Sequence, residues 1–132
     1  MIDPENEVYT ILAQALREEF PGISISDDPM SIPASFPHVS IEMSNNTTLF
    51  KVTDSGNYEV AICIFEINVY SNKQTGRKTE CRKIANFIDT ILVRKNFRRQ
   101  AMTPITNRDN PAVYRIAARY RVATDGKFFY RR

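Results

Sequence analysis

Apolar side chains recur at Val8, Ile11, Leu12, Ala15, Leu16 and Phe20, the three-and-four spacing of a single helical face. Ahead of them, Asp3-Pro4-Glu5 supplies a capping oxygen, a proline suited to a first turn, and an acid at the positive end of the helix dipole. Pro21-Gly22 ends the run, so the pattern predicts a first helix from about Asp3 to Phe20. The segment from Ile23 to Pro37 contains Pro29, Pro33 and Pro37 and alternates only at Ile23/Ile25, which predicts a short strand and an irregular crossing loop. His38 to Met43 alternates as a second short strand.

A polar turn sequence, Asp54-Ser55-Gly56-Asn57, separates Leu49–Thr53 from the run Tyr58–Tyr70 and predicts a hairpin. Its second strand is about twice the usual five or six residues. It is apolar on both sides, with Val60, Ile62 and Ile64 on one and Ala61, Cys63, Phe65, Ile67 and Val69 on the other. Only one further amphipathic helix is visible, Thr75 to Arg94, its stripe made by Cys81, Ile84, Ala85, Ile88, Ile91 and Leu92. Strands follow at Gln100–Thr106, Val113–Ala123 and, after an Asp125-Gly126 turn, Phe128–Tyr130. The resulting fold class is α+β: a mixed or antiparallel sheet with a long β-hairpin and two helices packed on one face, in one domain over residues 1–132. Two helices cover one face of such a sheet. Part of the second face, or an end of the hairpin, is then expected to be buried by another subunit, which makes Phe65 and Ile67 candidate contact residues.

Charge changes this picture. Residues 1–60 carry two basic residues against ten acidic, a formal −8, whereas residues 61–132 carry sixteen against five, a formal +11. The overall +3 conceals the polarity. Charge of one sign steers association with charge of the other, so the basic half is suited either to a polyanion or to the acidic half of a second copy in a head-to-tail assembly. No apolar run approaches the ~20 residues that span a bilayer. Asp3, Glu5, Asn6 and Glu7 stand where a signal peptide would be apolar, so synthesis in the cytosol is expected and no membrane partner. Cys63 and Cys81 fall within apolar patterns and read as buried thiols, and the Asn46-Thr47-Thr48 sequon is then without meaning.

Chemistry-bearing motifs are sparse. His38 is the single histidine, and any triad, dyad or zinc site would have to use it; following Pro37 at a strand start, it reads as structural. Ser40 shares its strand face but lacks nucleophile-elbow spacing. Thr75-Gly76-Arg77-Lys78-Thr79 resembles a fragment of a phosphate loop without the upstream glycine and reads better as a helix start. Asp27-Asp28 with Glu42 are conceivable metal ligands, though a solvated loop demands less. No catalytic, cofactor or metal residues are assigned, and no enzymatic activity is expected.

The basic segments have two readings. Arg94-Lys95-Asn96-Phe97-Arg98-Arg99 suits the negative end of the second helix, or contact with phosphates. Arg115, Arg119 and Arg121 share one face of a strand and form a basic stripe, suited to a subunit interface with Glu18 and Glu19 of a neighbour as the acids. Together with Phe128, Phe129, Tyr130, Arg131 and Arg132, the residues Arg94, Lys95, Arg98 and Arg99 form the alternative, a single-stranded nucleic-acid surface.

The whole order of elements resembles the tail-terminator, or tail-completion, proteins of long-tailed bacteriophages: the opening helix, the Pro-rich crossing, the long hairpin on Tyr58–Tyr70, one following helix, and Val113–Ala123 leading through Asp125-Gly126 to Phe128-Phe129-Tyr130. The resemblance spans nearly the whole chain and rests on element order and the ending. It implies a structural subunit in a homo-oligomeric ring, typically a hexamer. The ring would cap the tail tube protein, stop polymerisation, and offer a surface to a head-completion or connector protein, with DNA passing through it. It also implies residence in the host cytoplasm during assembly and then at the head-proximal end of the virion tail.

Overall fold

The computed structural model describes residues 1–28, 33–53, 56–106 and 111–130. Helix α1 (Glu5–Glu19) leads into β1 (Ser24–Ser26), β2 (His38–Thr53) and β3 (Gly56–Ser71), then α2 (Arg77–Arg94), β4 (Arg98–Thr106), β5 (Tyr114–Thr124) and β6 (Phe129–Tyr130). Asp3 Oδ1 accepts from the Glu5 amide at 3.2 Å, while Pro4 occupies the N-cap position just outside the first turn. Helix α2 starts two residues later than its sequence suggests, behind Gly76 at φ +84°, a left-handed conformation that glycine adopts without a Cβ penalty. It ends in a Schellman motif: the Phe97 amide reaches Leu92 O at 2.9 Å and the Asn96 amide Val93 O at 3.1 Å, with Asn96 at φ 71°. Leu92 and Phe97 are both buried, which completes the motif's apolar contact.

The six strands form one mixed sheet in the order β1-β2-β3-β5-β4, with β6 beside the end of β5. Only β1 and β2 run parallel among the pairs of this sheet. Two strands anticipated as separate, His38–Met43 and Leu49–Thr53, are one strand of 16 residues. A bulge between Met43 and Asn45 inserts Ser44 and re-phases the side chains, which hides the strand's continuity from period-two pattern reading. Residues 54–55 of the anticipated turn lie outside the described residues, and Gly56 and Asn57 belong to β3.

Both helices pack on one face. Val8, Leu12 and Leu16 of α1 and Cys81, Ile84, Ile88 and Leu92 of α2 meet Val39, Ile41, Cys63, Phe65, Ile67, Tyr120 and Val122 in a single core. Phe65 and Ile67 are therefore not contact residues for a neighbour: they are 0% and 1% exposed beneath the helices, because the alternation of β3 turns its odd-numbered side chains inward. On the opposite face, Val60 and Ile62 are buried in a small cluster with Ala123, so part of the strand's second apolar side is covered within the chain itself. Among the described residues no helix is long and apolar enough to cross a membrane.

Candidate subunit-contact surface

The sheet order nearly follows the chain order, and this converts a polarity along the sequence into one across the molecule. Helix α1 packs on β2, next to edge strand β1, whereas α2 packs on β3, β5 and β4. The acidic first half thus occupies one lateral side and the basic second half the other, with β3 between them.

The helix-free face of the sheet shows the same gradient in side-chain rows. Glu42, Glu66, Arg119 and Ala101 stand side by side across β2, β3, β5 and β4. Arg119 Nη2 donates to Glu66 Oε1 at 2.6 Å. Glu42 has a carboxylate neighbour in Glu66 and further acids in Asp28 and Glu5; burial first, and these charges second, hold its carboxyl above the usual range. Arg115 donates through Nε to Asn68 Oδ1 at 3.0 Å and lies over the Tyr70 ring at 5.6 Å. The basic stripe is thus a real surface feature, but two of its members, Arg115 and Arg119, are engaged by their own chain. Glu18 and Glu19, at the end of α1, belong to the helix layer and have no place on this face.

The third member is different. Arg121 stands directly opposite Arg98 across β5 and β4. Neither has an ion-pair partner among the described residues, and Arg121 Nε is buried without a hydrogen bond. Arg98, Arg99, Gln100 and Arg121 line an open recess of about 540 Å³ beside a bulge between Arg99 and Ala101. Like charges facing across strands repel, so this recess is suited to an anion.

The segment Arg94 to Arg99 does not act as one surface. Arg94 and Lys95 close α2, Phe97 anchors the core at 1% exposure against Phe65 and Phe129, and Arg99 pairs with Asp89 at 3.3 Å. Only Arg98 joins the stripe. Arg131 and Arg132 lie outside the described residues.

His38 is 3% exposed, its Nδ1 2.7 Å from Ser24 Oγ and its Nε2 2.9 Å from Ser26 Oγ. Ser26 Oγ donates its only proton to Asp28 O at 2.9 Å, so the ring donates from Nε2 and accepts at Nδ1. Burial lowers the imidazole pKa, in keeping with a neutral ring that ties β1 to β2. Ser40 Oγ is buried without a partner and makes no bond to His38. Gly76 of the phosphate-loop-like segment caps α2. Among the described residues, no three His, Cys, Asp or Glu side chains group as metal ligands, Asp27, Asp28 and Glu42 included. Cys63 and Cys81 are free and buried.

Sequence reasoning did not find Glu66, Ser24, Ser26 or Asp89 as partners. Each acts across a strand pair or onto a helix far away in sequence. Only the charge of Glu66 within an apolar strand signals an exposed face.

Two helices on one face of a mixed six-stranded sheet, with a hairpin of two 16-residue strands and an opposed arginine pair, define an α+β domain. Among solved structures the fold is similar to that of a chain in the virion of a native gene transfer agent (GTA) particle. That match has a TM-score of 0.58 and 14% identity, and covers 83% of this chain and 88% of that one. No protein-family model and no curated protein sequence matches the chain.

Proposed function

We propose that this chain is a structural virion protein that assembles into a homo-oligomeric ring, a hexamer being the form its resemblance implies, and that the ring caps the phage tail tube. In this role it ends tail polymerisation and offers a joining surface to the head-completion or connector protein. It acts in the host cytoplasm during assembly and then at the head-proximal end of the tail. It carries out no catalysis and uses no cofactor. The observation that supports this most is the lateral segregation of charge: an acidic α1–β1–β2 side and a basic α2–β5–β4 side suit a head-to-tail contact that closes on itself. The shared fold with a chain of a virion particle is in keeping with it.

The test is assembly with and without the gene. In its absence, electron microscopy is expected to show tubes of irregular length that do not join heads, and added protein is expected to restore uniform joined tails. Uniform, head-joined tails without the protein overturn the reading. A second reading, a nucleic-acid-binding protein, draws on Arg98 and Arg121, which have no ion-pair partner among the described residues, and on the exposed Tyr130. It predicts tight oligonucleotide binding with a steep salt dependence.

A further inference from the structure

We infer that the recess between Arg98 and Arg121 is a carboxylate-binding site, and that its occupant is the acidic cluster of Asp28 and Glu42 from a second copy of this chain. The inference rests on the proposed ring and names the contact that would build it.

Two features of the single subunit are each incomplete, and they are complementary. On the basic side, two guanidinium groups face each other across β4 and β5 at an open edge of the sheet, with no acid among the described residues to neutralise them. Every other arginine of β5 has a partner: Arg115 has Asn68 and Tyr70, and Arg119 has Glu66. Arg121 Nε is moreover buried and unbonded, a donor that an incoming oxygen would satisfy. Each guanidinium carries a planar fork of N–H groups that matches the two oxygens of a carboxylate.

On the acidic side, Glu42 stands beside Glu66 in the β2–β3 register, and Glu66 already gives its Oε1 to Arg119. Asp28 adds a further acid immediately after edge strand β1. Glu42 is therefore crowded by negative charge with no cation of its own among the described residues. These two clusters lie toward opposite edges of one sheet, β1–β2 and β5–β4, too far apart in strand order to relieve each other within the subunit. Bringing the acidic edge of one copy to the basic edge of the next satisfies both at once. The acids at the end of α1 are replaced in this contact by Glu42 on β2 and Asp28 just beyond β1, because Arg121 and Arg98 lie on the helix-free face.

The test is a charge swap with two pairs of variants. One carries Arg98→Glu with Arg121→Glu and the other Asp28→Lys with Glu42→Lys. Arg98→Glu alone and Asp28→Lys alone, both at exposed positions, serve where a double change disturbs the fold, which circular dichroism monitors. Sedimentation of the wild type across a concentration series, alone and with tail tubes, gives the reference. Each variant alone is expected to self-associate at least tenfold more weakly, and an equimolar mixture of the two is expected to recover association, since each then meets an opposite edge. Folded variants that associate like the wild type, or a mixture that fails to recover, overturn the pairing while the ring survives. The expected pattern in an assembly that stops at dimers upholds the pairing and overturns the ring. A wild type that stays monomeric even on tubes overturns both. If Arg98→Glu abolishes binding of a single-stranded oligonucleotide and leaves self-association intact, the occupant is a phosphate backbone and the proposal fails.

Discussion

The Tyr120 hydroxyl donates to Asp89 Oδ1 at 2.8 Å and so fastens the last long strand to the middle of α2. Arg99 approaches the same oxygen at 3.3 Å, from the start of β4. Three elements thus meet on one carboxylate at the rim of the core. Burial first, and the neighbouring carboxylate second, push the Tyr120 phenol far above its ordinary pKa, so it stays a donor throughout the working pH range.

Replacement of this hydroxyl is the first test. Tyr120→Phe keeps the ring volume and removes one part-buried hydrogen bond to a charged group, worth about 1.5–3 kcal/mol. A urea titration is expected to show a lower midpoint with an unchanged slope. An unaltered midpoint would mean the bond contributes nothing to holding β5 against α2.

His38 gives the chain a dependence on pH. Burial lowers its folded-state pKa below the ordinary 6.5, so between those two values the unfolded chain binds more protons and stability increases with pH. The contribution is complete above pH 6.5 and is lost as pH falls through the window below it. Thermal melts from pH 7.5 to 5.5 are expected to show a declining midpoint in the wild type and a flatter profile in His38→Gln. Because His38 is the single histidine, the difference between the two profiles is assignable to it.

Phe65 separates core from contact surface. Phe65→Ala is expected to cost about 3–5 kcal/mol, the range for emptying an aromatic from a packed interior. The loss is expected at concentrations where the protein is monomeric, since the side chain lies beneath the helices. Wild-type stability of the dilute variant, with a defect confined to assembly, would return Phe65 to the subunit contact.

The thiols provide a probe of the same core. Burial is the main reason that the Cys63 thiol is pushed up to about 11 and the Cys81 thiol to about 12, with Asp3 and Glu80 adding to the respective shifts. Cys81 Sγ also lies within 3.6 Å of Val69 O and 3.5 Å of Tyr114 O. At pH 8 neither is expected to react with a thiol reagent until denaturant is added, because the thiolate is the nucleophile. Stoichiometric labelling of the native protein within minutes would contradict the packing of α2 on the sheet.

Sequence by itself determined both helices with their apolar stripes, the central run of β3 from Tyr58 to Tyr70 and the charge difference between the two halves, since each is encoded locally by period, turn chemistry or count. It also set the two cysteines within apolar runs, where the structure keeps them free and buried. The tertiary structure decided which residues share a row. A bulge at Ser44 joined two short segments into one strand, and a polar run of Asn and Thr gives no periodic sign of such a ladder. Period two distinguishes the two faces of β3 but does not say which one receives the helices, so Phe65 and Ile67 were legible as apolar and not as core. Nor does a sequence state that Arg119 meets Glu66 across 53 residues while Arg121 stands opposite Ile64 on one side and Arg98 on the other. Cross-strand register is a property of the folded sheet, set by the sum of many backbone bonds and by burial of one whole face, and that register set Arg98 opposite Arg121, with no acid paired to either among the described residues.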